Sequence, residues 1–473
     1  MLSRLFFPLV AALLTTGGAS GAEVGDDPSR PRFHYTPKRG GMIDVWGGAR
    51  YRDSWRLFYD LNVRELDVNG GYKLGGSFFQ LKTKDFVHWE EVGVALDPDR
   101  AHGECHLNDG NVIVRGDGTP LVYYTSIKAD PKRPNEHVPL VCDGEMRHFT
   151  RLDEGRITVD NHGGPKYDGK GWSDVWMFRE AGRRFMIISK CVREDDGRDE
   201  IPIYEATDET WLRWRYLGTF LEKSGEVVNF AKVGGKWILV FSPYGNPVYH
   251  VGDFDAATGK FTPLKSGVLS YGYSNQGGGG APHLAARGFY ATTFLPREDG
   301  RQVITAWIGG FICPDGWNGA VALPRDLTLD DDLTPRMWPV KEFETLRGRS
   351  VEIENLKEMP SFGGSFDLEL EFKGWAYVRV GKSLSVCSTG WQTSVNGTKV
   401  PLPPGEFPNR LRVVADVSTV EVFVNGGRAS ATRTISMIRP DDTVRVEVIA
   451  DAEAGETVSR LKGRMHEILP VRR

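Results

Sequence analysis

Five stretches of the sequence repeat one pattern, a pair of small turn residues followed by an apolar or aromatic strand. The turn pairs begin at Asp53, Asp117, Ala181, Gly234 and Asp299, which are 64, 64, 53 and 65 positions apart. The strands that follow them are Trp55–Tyr59, Leu121–Tyr124, Phe185–Ile188, Trp237–Phe241 and Val303–Trp307. A unit of strands and turns that recurs every roughly 50–60 residues is typical of a β-propeller. Five units therefore predict five blades around a narrow channel.

An acidic residue lies seven to nine positions before each of the first four repeats, and the fifth repeat has Ala291 in that place. The four acids are Asp44, Asp109, Asp174 and Glu226. Equivalent positions of a radial repeat lie around one axis, so we expect these carboxylates to crowd one mouth of the channel. Crowded carboxylates raise one another's pKa, as acid–base chemistry near neutral pH requires. The alternative is that they are ordinary turn residues, since Asp often precedes a strand and the chain has 63 acidic residues.

Composition restricts the classes of protein to consider. The 473 residues are enough for two or three domains, and a net charge of −4 with a mean hydropathy of −0.35 predicts a soluble globular protein. The chain has no basic stripe of the kind that binds nucleic acid. Its 13 Trp, 15 Tyr and 24 Phe residues are typical both of sugar-binding surfaces and of propeller cores, so they favour neither.

The first 22 residues have the pattern of an export signal peptide. Arg4 supplies a positive charge, residues 5–14 are apolar, and residues 20–22 are small enough for cleavage. The apolar run is too short to span a membrane. We therefore expect an exported protein, periplasmic or extracellular, with no membrane attachment after cleavage. An uncleaved anchor is the alternative.

The cysteines and histidines indicate no metal site. The five cysteines are widely separated, without a CxxC pair, and no His cluster has metal-ligand spacing. The sequence therefore predicts neither a metal nor an organic cofactor. Buried free cysteines are the simplest interpretation, with a disulfide between two of them as the alternative.

The order of strands predicts an all-β chain of two domains. Helical periodicity is nearly absent, and short strands separated by Gly, Asp, Asn and Pro extend over residues 30–338, the expected propeller. Residues 339–350 are predicted as a linker and residues 351–473 as a β-sandwich. The predicted sandwich strands are Phe366–Phe372, Ala376–Val380, Leu384–Cys387, Leu411–Val414, Val420–Val424 and Val444–Ile449.

The segments Phe33–Pro37, Gly41–Gly47 and Arg56–Tyr59 together resemble the opening of glycoside hydrolase family 32, the invertases, inulinases and levanases. The family motif there is Trp-Met-Asn-Asp-Pro-Asn-Gly, whose Asp is the nucleophile, and Asp44 falls on it. Further along, Asp416–Asn425 resembles the signature strand of the family's C-terminal sandwich. The resemblance implies the same two-domain fold, a propeller followed by a sandwich.

Two further acids fall on family motifs. Asp174 stands where the family has Arg-Asp-Pro, whose Asp stabilises the transition state, and Glu226 stands where it has Glu-Cys-Pro, whose Glu is the acid/base. The resemblance thus implies three catalytic residues, Asp44, Asp174 and Glu226.

The chain departs from the family pattern around these acids. Ser173 replaces the Arg before Asp174, and Asp109 adds a charge that the family's Ser-Gly-Ser loop lacks. Such changes fall on groups that hold the sugar, so they imply an altered sugar specificity. The candidate substrate-binding residues are Trp46, Asp60, Phe78, Asn108, Asp109 and Ser173.

These observations lead to one main hypothesis and two alternatives. The main hypothesis is a retaining glycoside hydrolase that acts on fructose-containing or related furanoside oligo- or polysaccharides by double displacement. One alternative is a non-catalytic carbohydrate-binding propeller, and the other is a glycosidase or fructosyltransferase with a different sugar specificity. The sequence specifies no oligomeric state.

Overall fold

The computed structural model describes residues 27–62, 76–169, 171–275, 286–311, 316–354, 357–450 and 460–471. The predicted signal peptide, residues 1–22, lies outside these ranges. Strands dominate the described residues, and the helical segments among them are the short 3-10 turns Arg100–His102, Lys341–Leu346 and Phe362–Gly364. No helix within these ranges is long and apolar enough to cross a membrane.

The N-terminal strands form five antiparallel blades. Blade 1 contains β1 (Gly40–Tyr51), β2 (Ser54–Asn62), β3 (Ser77–Thr83) and β4 (Trp89–Leu96). Blade 2 contains β5 (Glu104–Val114), β6 (Pro120–Lys128), β7 (Glu136–Cys142) and β8 (Phe149–Arg151). Blade 3 contains β9 (Ser173–Glu180), β10 (Arg183–Ser189), β11 (Cys191–Val192), β12 (Asp199–Ala206) and β13 (Trp214–Leu221).

The last two blades complete the ring. Blade 4 contains β14 (Glu226–Val233), β15 (Lys236–Ser242), β16 (Val248–Asp255) and β17 (Lys260–Val268). Blade 5 and its closing segment contain β18 (Ser274–Asn275), β19 (Ala286–Pro296), β20 (Gln302–Gly309), β21 (Trp317–Asn318), β22 (Ala320–Val321), β23 (Arg325–Leu329) and β24 (Pro335–Pro339). Strand β21 pairs with β1 in parallel, so the end of blade 5 is hydrogen-bonded to blade 1.

The first long strand of each blade lies innermost. Strands β1, β5, β9, β14 and β19 contact one another in a closed ring, each touching the next and the last touching the first. The five sequence repeats coincide with the second strands, β2, β6, β10, β15 and β20. The prediction of a five-bladed β-propeller followed by a β-sandwich is confirmed.

Aromatic side chains fill the space between blades. At the contact of blades 3 and 4, Phe178 packs edge-on against Phe230 at a ring-centre distance of 4.9 Å, and Trp237 stacks on Phe230 at 4.6 Å. These side chains are at most 8% exposed. The aromatic content of the chain thus serves the core between blades, where each ring buries a large apolar surface.

Two six-stranded sheets form the C-terminal sandwich. Its strands are β25 (Arg347–Glu354), β26 (Lys357–Pro360), β27 (Ser365–Lys373), β28 (Trp375–Val380), β29 (Leu384–Thr389), β30 (Gln392–Val395), β31 (Thr398–Pro401), β32 (Arg410–Asp416), β33 (Thr419–Val424), β34 (Ala429–Thr434), β35 (Thr443–Ile449) and β36 (Arg460–Ile468). One sheet has the order β25-β36-β27-β32-β33-β34 and the other β26-β35-β28-β29-β30-β31. Strand β25 begins at Arg347, inside the stretch predicted as a linker.

A buried ionic cluster joins the segment before β1 to the sandwich. The ring of His34 lies between two acids of the sandwich, with Nδ1 at 2.9 Å from Asp416 and Nε2 at 2.8 Å from Glu421. Asp416 also accepts hydrogen bonds from the backbone N–H groups of Arg32, Phe33 and His34. Because the three side chains are fully buried, the cluster fixes one domain against the other.

Candidate active site

Each innermost strand carries a β-bulge at the same level. The pairing with the second strand skips one residue at Asp44 in β1, Asp109 in β5, Asp174 in β9 and Ala291 in β19. A bulge changes the direction in which the extra side chain points, and bulges are frequent beside active sites. Four of the positions that the sequence spacing predicted to be equivalent therefore occupy equivalent bulges in four blades.

Blade 4 differs from the expected register. Its bulge falls after Glu226, and the residue with the left-handed backbone is Val227, with φ of 52°, as at Asp44 (50°) and Asp174 (52°). Glu226 is thus equivalent to Ser173, one residue before the bulge. A β-branched residue at positive φ is strained, so the structure holds this backbone with a specific contact: the N–H of Val227 donates to Oδ2 of Asp174 at 2.8 Å.

Asp44 is the half-buried acid at the bulge of blade 1. Burial raises its pKa well above the ordinary value, and the negative charges of Glu226, Asp60 and Asp174 raise it further. The ammonium group of Lys190 opposes this and lowers the pKa of Asp44. Asp44 and Asp174 occupy equivalent bulges, and the N–H of Val227, next to Glu226, donates to Asp174, so the three acids lie at the same end of the channel.

Asp174 is 2% exposed and held on both carboxylate oxygens. Its Oδ1 accepts from the hydroxyl of Ser173 at 2.7 Å and from the amide of Asn108 at 3.3 Å. Its Oδ2 accepts from the Val227 N–H. Burial and the charge of Glu226 raise the pKa of Asp174, whereas Lys190 and the hydrogen bonds from Val227 and Ser173 act against that increase. The buried Ser173 and the half-buried Asn108 therefore orient this acid, a role different from the direct substrate contact predicted for Ser173.

Glu226 is surrounded by hydrogen-bond donors. Its Oε1 accepts from Nζ of Lys190 at 2.9 Å and from the hydroxyl of Tyr244, and its Oε2 accepts from the hydroxyl of Tyr290 at 2.9 Å. The side chain of Glu226 remains 19% exposed. The acid is therefore fixed in orientation while one part of it still reaches the open mouth of the site.

Asp109 is 2% exposed and faces the channel wall formed by Trp46, Val227, Asn229 and Thr292. No described residue hydrogen-bonds either of its carboxylate oxygens. Burial raises its pKa well above the ordinary value, and Asp44 is the strongest of the negative charges that add to this increase. A carboxyl group in these surroundings favours its neutral, protonated form.

Trp46 and Phe78 lie in the core of blade 1. Each is 1% exposed, with the Trp46 ring stacked on Phe58 and edge-on to Phe78 at 4.3 Å. Neither ring has a face free for a sugar, so the prediction that they bind substrate is corrected to a packing role. Asp60 is 1% exposed, accepts from Nε1 of Trp46 at 3.2 Å and lies 3.5 Å from Nε2 of His106, so it is bonded within the protein.

The structure adds three residues that the sequence patterns did not identify, Lys190, Tyr244 and Tyr290. None lies at the bulge position of a blade: Lys190 follows β10, Tyr244 follows β15, and Tyr290 precedes the bulge of β19. Among the described residues, no group of three or more His, Cys, Asp or Glu side chains is placed to hold a metal ion. The groups that meet at Glu226 are the ammonium of Lys190 and the phenols of Tyr244 and Tyr290.

Comparison with known proteins gives the same assignment for both domains. The model of the "Glycosyl hydrolases family 32 N-terminal domain" matches residues 34–339, and that of the family's C-terminal domain matches residues 376–462. The chain is 23% identical to a sucrose-6-phosphate hydrolase of Vibrio alginolyticus, over 86% of each chain. It is 24% identical to a levanase of Bacillus subtilis, over 97% of this chain and 73% of the levanase.

A solved structure shows the same fold. The sucrose-6-phosphate hydrolase of Lactobacillus gasseri superposes with a TM-score of 0.78 at 20% identity, covering 95% of each chain. With both family models matched in order along the chain, and the first covering more than half of it, this protein belongs to glycoside hydrolase family 32.

Proposed function

We propose that the protein hydrolyses fructosides with retention of configuration, Asp44 acting as nucleophile and Glu226 as acid/base. The observation that carries this proposal is that Asp44 and Asp174 occupy equivalent bulges of the inner strands and that the N–H of Val227, next to Glu226, donates to Asp174. The relatives named sucrose-6-phosphate hydrolase and levanase support a fructose-containing substrate.

In the first step a carboxylate oxygen of Asp44 attacks the anomeric carbon of the fructosyl unit. The bond to the leaving oxygen breaks, and that oxygen takes a proton from Glu226. In the second step Glu226 accepts a proton from water, whose oxygen displaces Asp44 from the anomeric carbon. We expect Asp174, which Ser173 and the Val227 N–H hold in position, to stabilise the positive charge that develops on the ring.

The sugar specificity is expected to differ from that of relatives with Arg before the transition-state Asp. The guanidinium group is absent because Ser173 occupies the position, and the Ser173 hydroxyl binds Asp174. A charge-assisted hydrogen bond to substrate contributes about 1.5–3 kcal/mol. We expect other groups at the mouth, such as the half-buried Asn108 and the exposed Tyr244, to contact the substrate in its place.

The test is hydrolysis of sucrose, inulin, levan and a panel of aryl furanosides by the wild type and by Asp44→Asn. We expect activity on at least one fructoside and its loss in Asp44→Asn. The matched control is Asp299→Asn, which changes an exposed turn Asp that pairs with Arg301. Activity that persists in Asp44→Asn would refute the role of Asp44. Calorimetric binding of oligosaccharides without hydrolysis by the wild type would instead favour a binding protein.

We also propose that the protein is exported. The support is the sequence of residues 1–22, with Arg4, an apolar stretch and small residues at its end. Expression of the full chain followed by N-terminal sequencing of the product tests this. We expect a mature terminus after Ala22, and an intact N-terminus on the cytoplasmic product would contradict it.

A further inference from the structure

Lys190 occupies a constrained position directly after β10. Its backbone has φ of 54°, a conformation that non-glycine residues rarely adopt, and its N–H donates to the hydroxyl of Ser224. Strained residues of this kind persist where the surrounding structure fixes them, and they concentrate at functional sites. The strained backbone here delivers the Lys190 side chain to the mouth of the channel.

The ammonium group of Lys190 lies among the acids of the site. Its Nζ is 2.9 Å from Oε1 of Glu226 and 2.8 Å from the hydroxyl of Tyr244. Burial opposes its charge, but Glu226 and Asp174 outweigh burial and raise the pKa of Lys190. The raised pKa favours the positively charged form of Lys190.

The same charge acts on the two acids that do not touch it directly. Lys190 lowers the pKa of Asp44 and of Asp174, whereas burial and the neighbouring acids raise them. The charged and titratable side chains that interact electrostatically with Asp44 include Asp60, Asp109, Asp174, Lys190, Glu226, Tyr273 and Tyr290. Lys190 is the positively charged residue among those named, and its charge favours the ionised form of Asp44 that a nucleophile requires.

We propose that Lys190 is a positioning residue of the hydrolytic site, one that holds the Glu226 carboxyl group and offsets the negative charge around Asp44. This inference rests on the proposed function. It differs from a purely structural role, in which Lys190 would only stabilise the fold. It also differs from direct catalysis, since the Lys190 ammonium is engaged with Glu226 and Tyr244.

The experiment compares Lys190→Met, which keeps the length of the side chain and removes the charge, with Lys190→Arg, which keeps the charge. We measure kcat and KM separately, and kcat/KM against pH, on the fructoside that the wild type hydrolyses fastest. Lys190→Met should lower kcat roughly 10- to 100-fold, the loss of a charge-assisted hydrogen bond at the acid/base. It should also move the acidic limb of the kcat/KM profile to higher pH, because Asp44 then resists ionisation. Lys190→Arg should keep that limb at the wild-type position.

The control is Lys232→Met, which removes an exposed lysine paired with Glu180, a residue that the structure does not place at this mouth. Thermal unfolding of all variants separates loss of folding from loss of positioning. If the kcat/KM–pH profile of Lys190→Met superposes on that of the wild type, the inference is overturned and the proposed function stands. The same holds if Lys190→Arg shows the same shifted profile as Lys190→Met. Absence of hydrolysis by the wild type refutes the proposed function, and with it any role of Lys190 in the reaction.

Discussion

Replacing His34 by glutamine tests the ionic cluster that fixes the sandwich against the propeller. Both ring nitrogens of His34 face carboxylates, Asp416 at 2.9 Å and Glu421 at 2.8 Å, so the ring donates on both sides and is positively charged. Burial lowers the pKa of His34, but the hydrogen bonds and charges of the two acids outweigh burial and raise the pKa to about 9. A glutamine side chain keeps a donor but carries no charge.

The size of the stabilisation that the charged His34 contributes follows from its pKa. An increase from the ordinary 6.5 to about 9 corresponds to about 3 kcal/mol of folding free energy, at about 1.4 kcal/mol for each pH unit. Because the folded-state pKa is raised, this stabilisation is fully present below pH 6.5 and is lost as the pH rises through 9. Removing one partner of a buried ion pair costs roughly 3–5 kcal/mol. We therefore expect His34→Gln to be less stable than the wild type at pH 6, by a margin that narrows toward pH 9.

The assay is denaturant unfolding of the wild type and His34→Gln at several pH values between 6 and 9.5. His102→Gln is the matched control, since the side chain of His102 is 79% exposed and pairs with Asp99, the residue just before the 3-10 turn. A difference between wild type and His34→Gln that stays constant over this range would refute the charged state of the buried ring.

Two further predictions concern the acids of the site. Asp109→Asn should retain kcat, and a large loss of kcat would show that Asp109 binds substrate. Because the folded-state pKa of Asp109 is raised, the wild type loses stability as the pH rises above about 4, and the stability of Asp109→Asn relative to wild type should grow by about 1.4 kcal/mol per pH unit while the wild-type carboxyl stays protonated. Thermal unfolding of both proteins at pH 4, 5 and 6 measures this difference. Glu226→Gln should lower kcat/KM roughly 10²- to 10⁴-fold for natural fructosides and much less for aryl fructosides with acidic leaving groups, because kcat/KM reports the step in which the leaving group departs. Equal losses of kcat/KM on both, in steady-state assays, would contradict its role as acid.

Much of the fold was predictable because each blade repeats the same local pattern. Strand-forming second strands such as Trp237–Phe241 follow turn pairs at a nearly constant spacing, and a hairpin turn is a local property of the sequence. Sandwich strands such as Val444–Ile449 were recognisable from their alternation of buried and exposed residues. Strand β36, Arg460–Ile468, was missed because its many charged residues conceal the alternation, although it lies in the middle of its sheet between β25 and β27.

The site was predictable only where it depends on spacing. Asp44 and Asp174 occupy equivalent bulges, so counting from the turn pairs located them. The same count placed Glu226 at the bulge of blade 4, where the structure has Val227, because spacing does not reveal which residue a bulge leaves unpaired. Lys190 and Tyr244 reach the site from the ends of second strands, and only tertiary structure brings those ends to Glu226.

Burial also decided roles that residue types left open. Trp46 and Phe78 are aromatic residues beside the nucleophile, and in sequence an aromatic ring that stacks on a sugar is indistinguishable from one that fills a core. The structure separates the two because the rings are 1% exposed. Tyr244, 53% exposed and bonded to Glu226, is the aromatic side chain better placed to meet a substrate.

The most direct test of the account is to trap the glycosyl-enzyme intermediate. Glu226→Gln should accumulate it when supplied with an aryl fructoside, because the good leaving group departs without an acid while hydrolysis lacks its base. Intact-mass spectrometry and peptide mapping should then find one hexosyl unit attached to the peptide that contains Asp44. An adduct on another residue, or steady hydrolysis by Asp44→Asn with no adduct in Glu226→Gln, would contradict the mechanism.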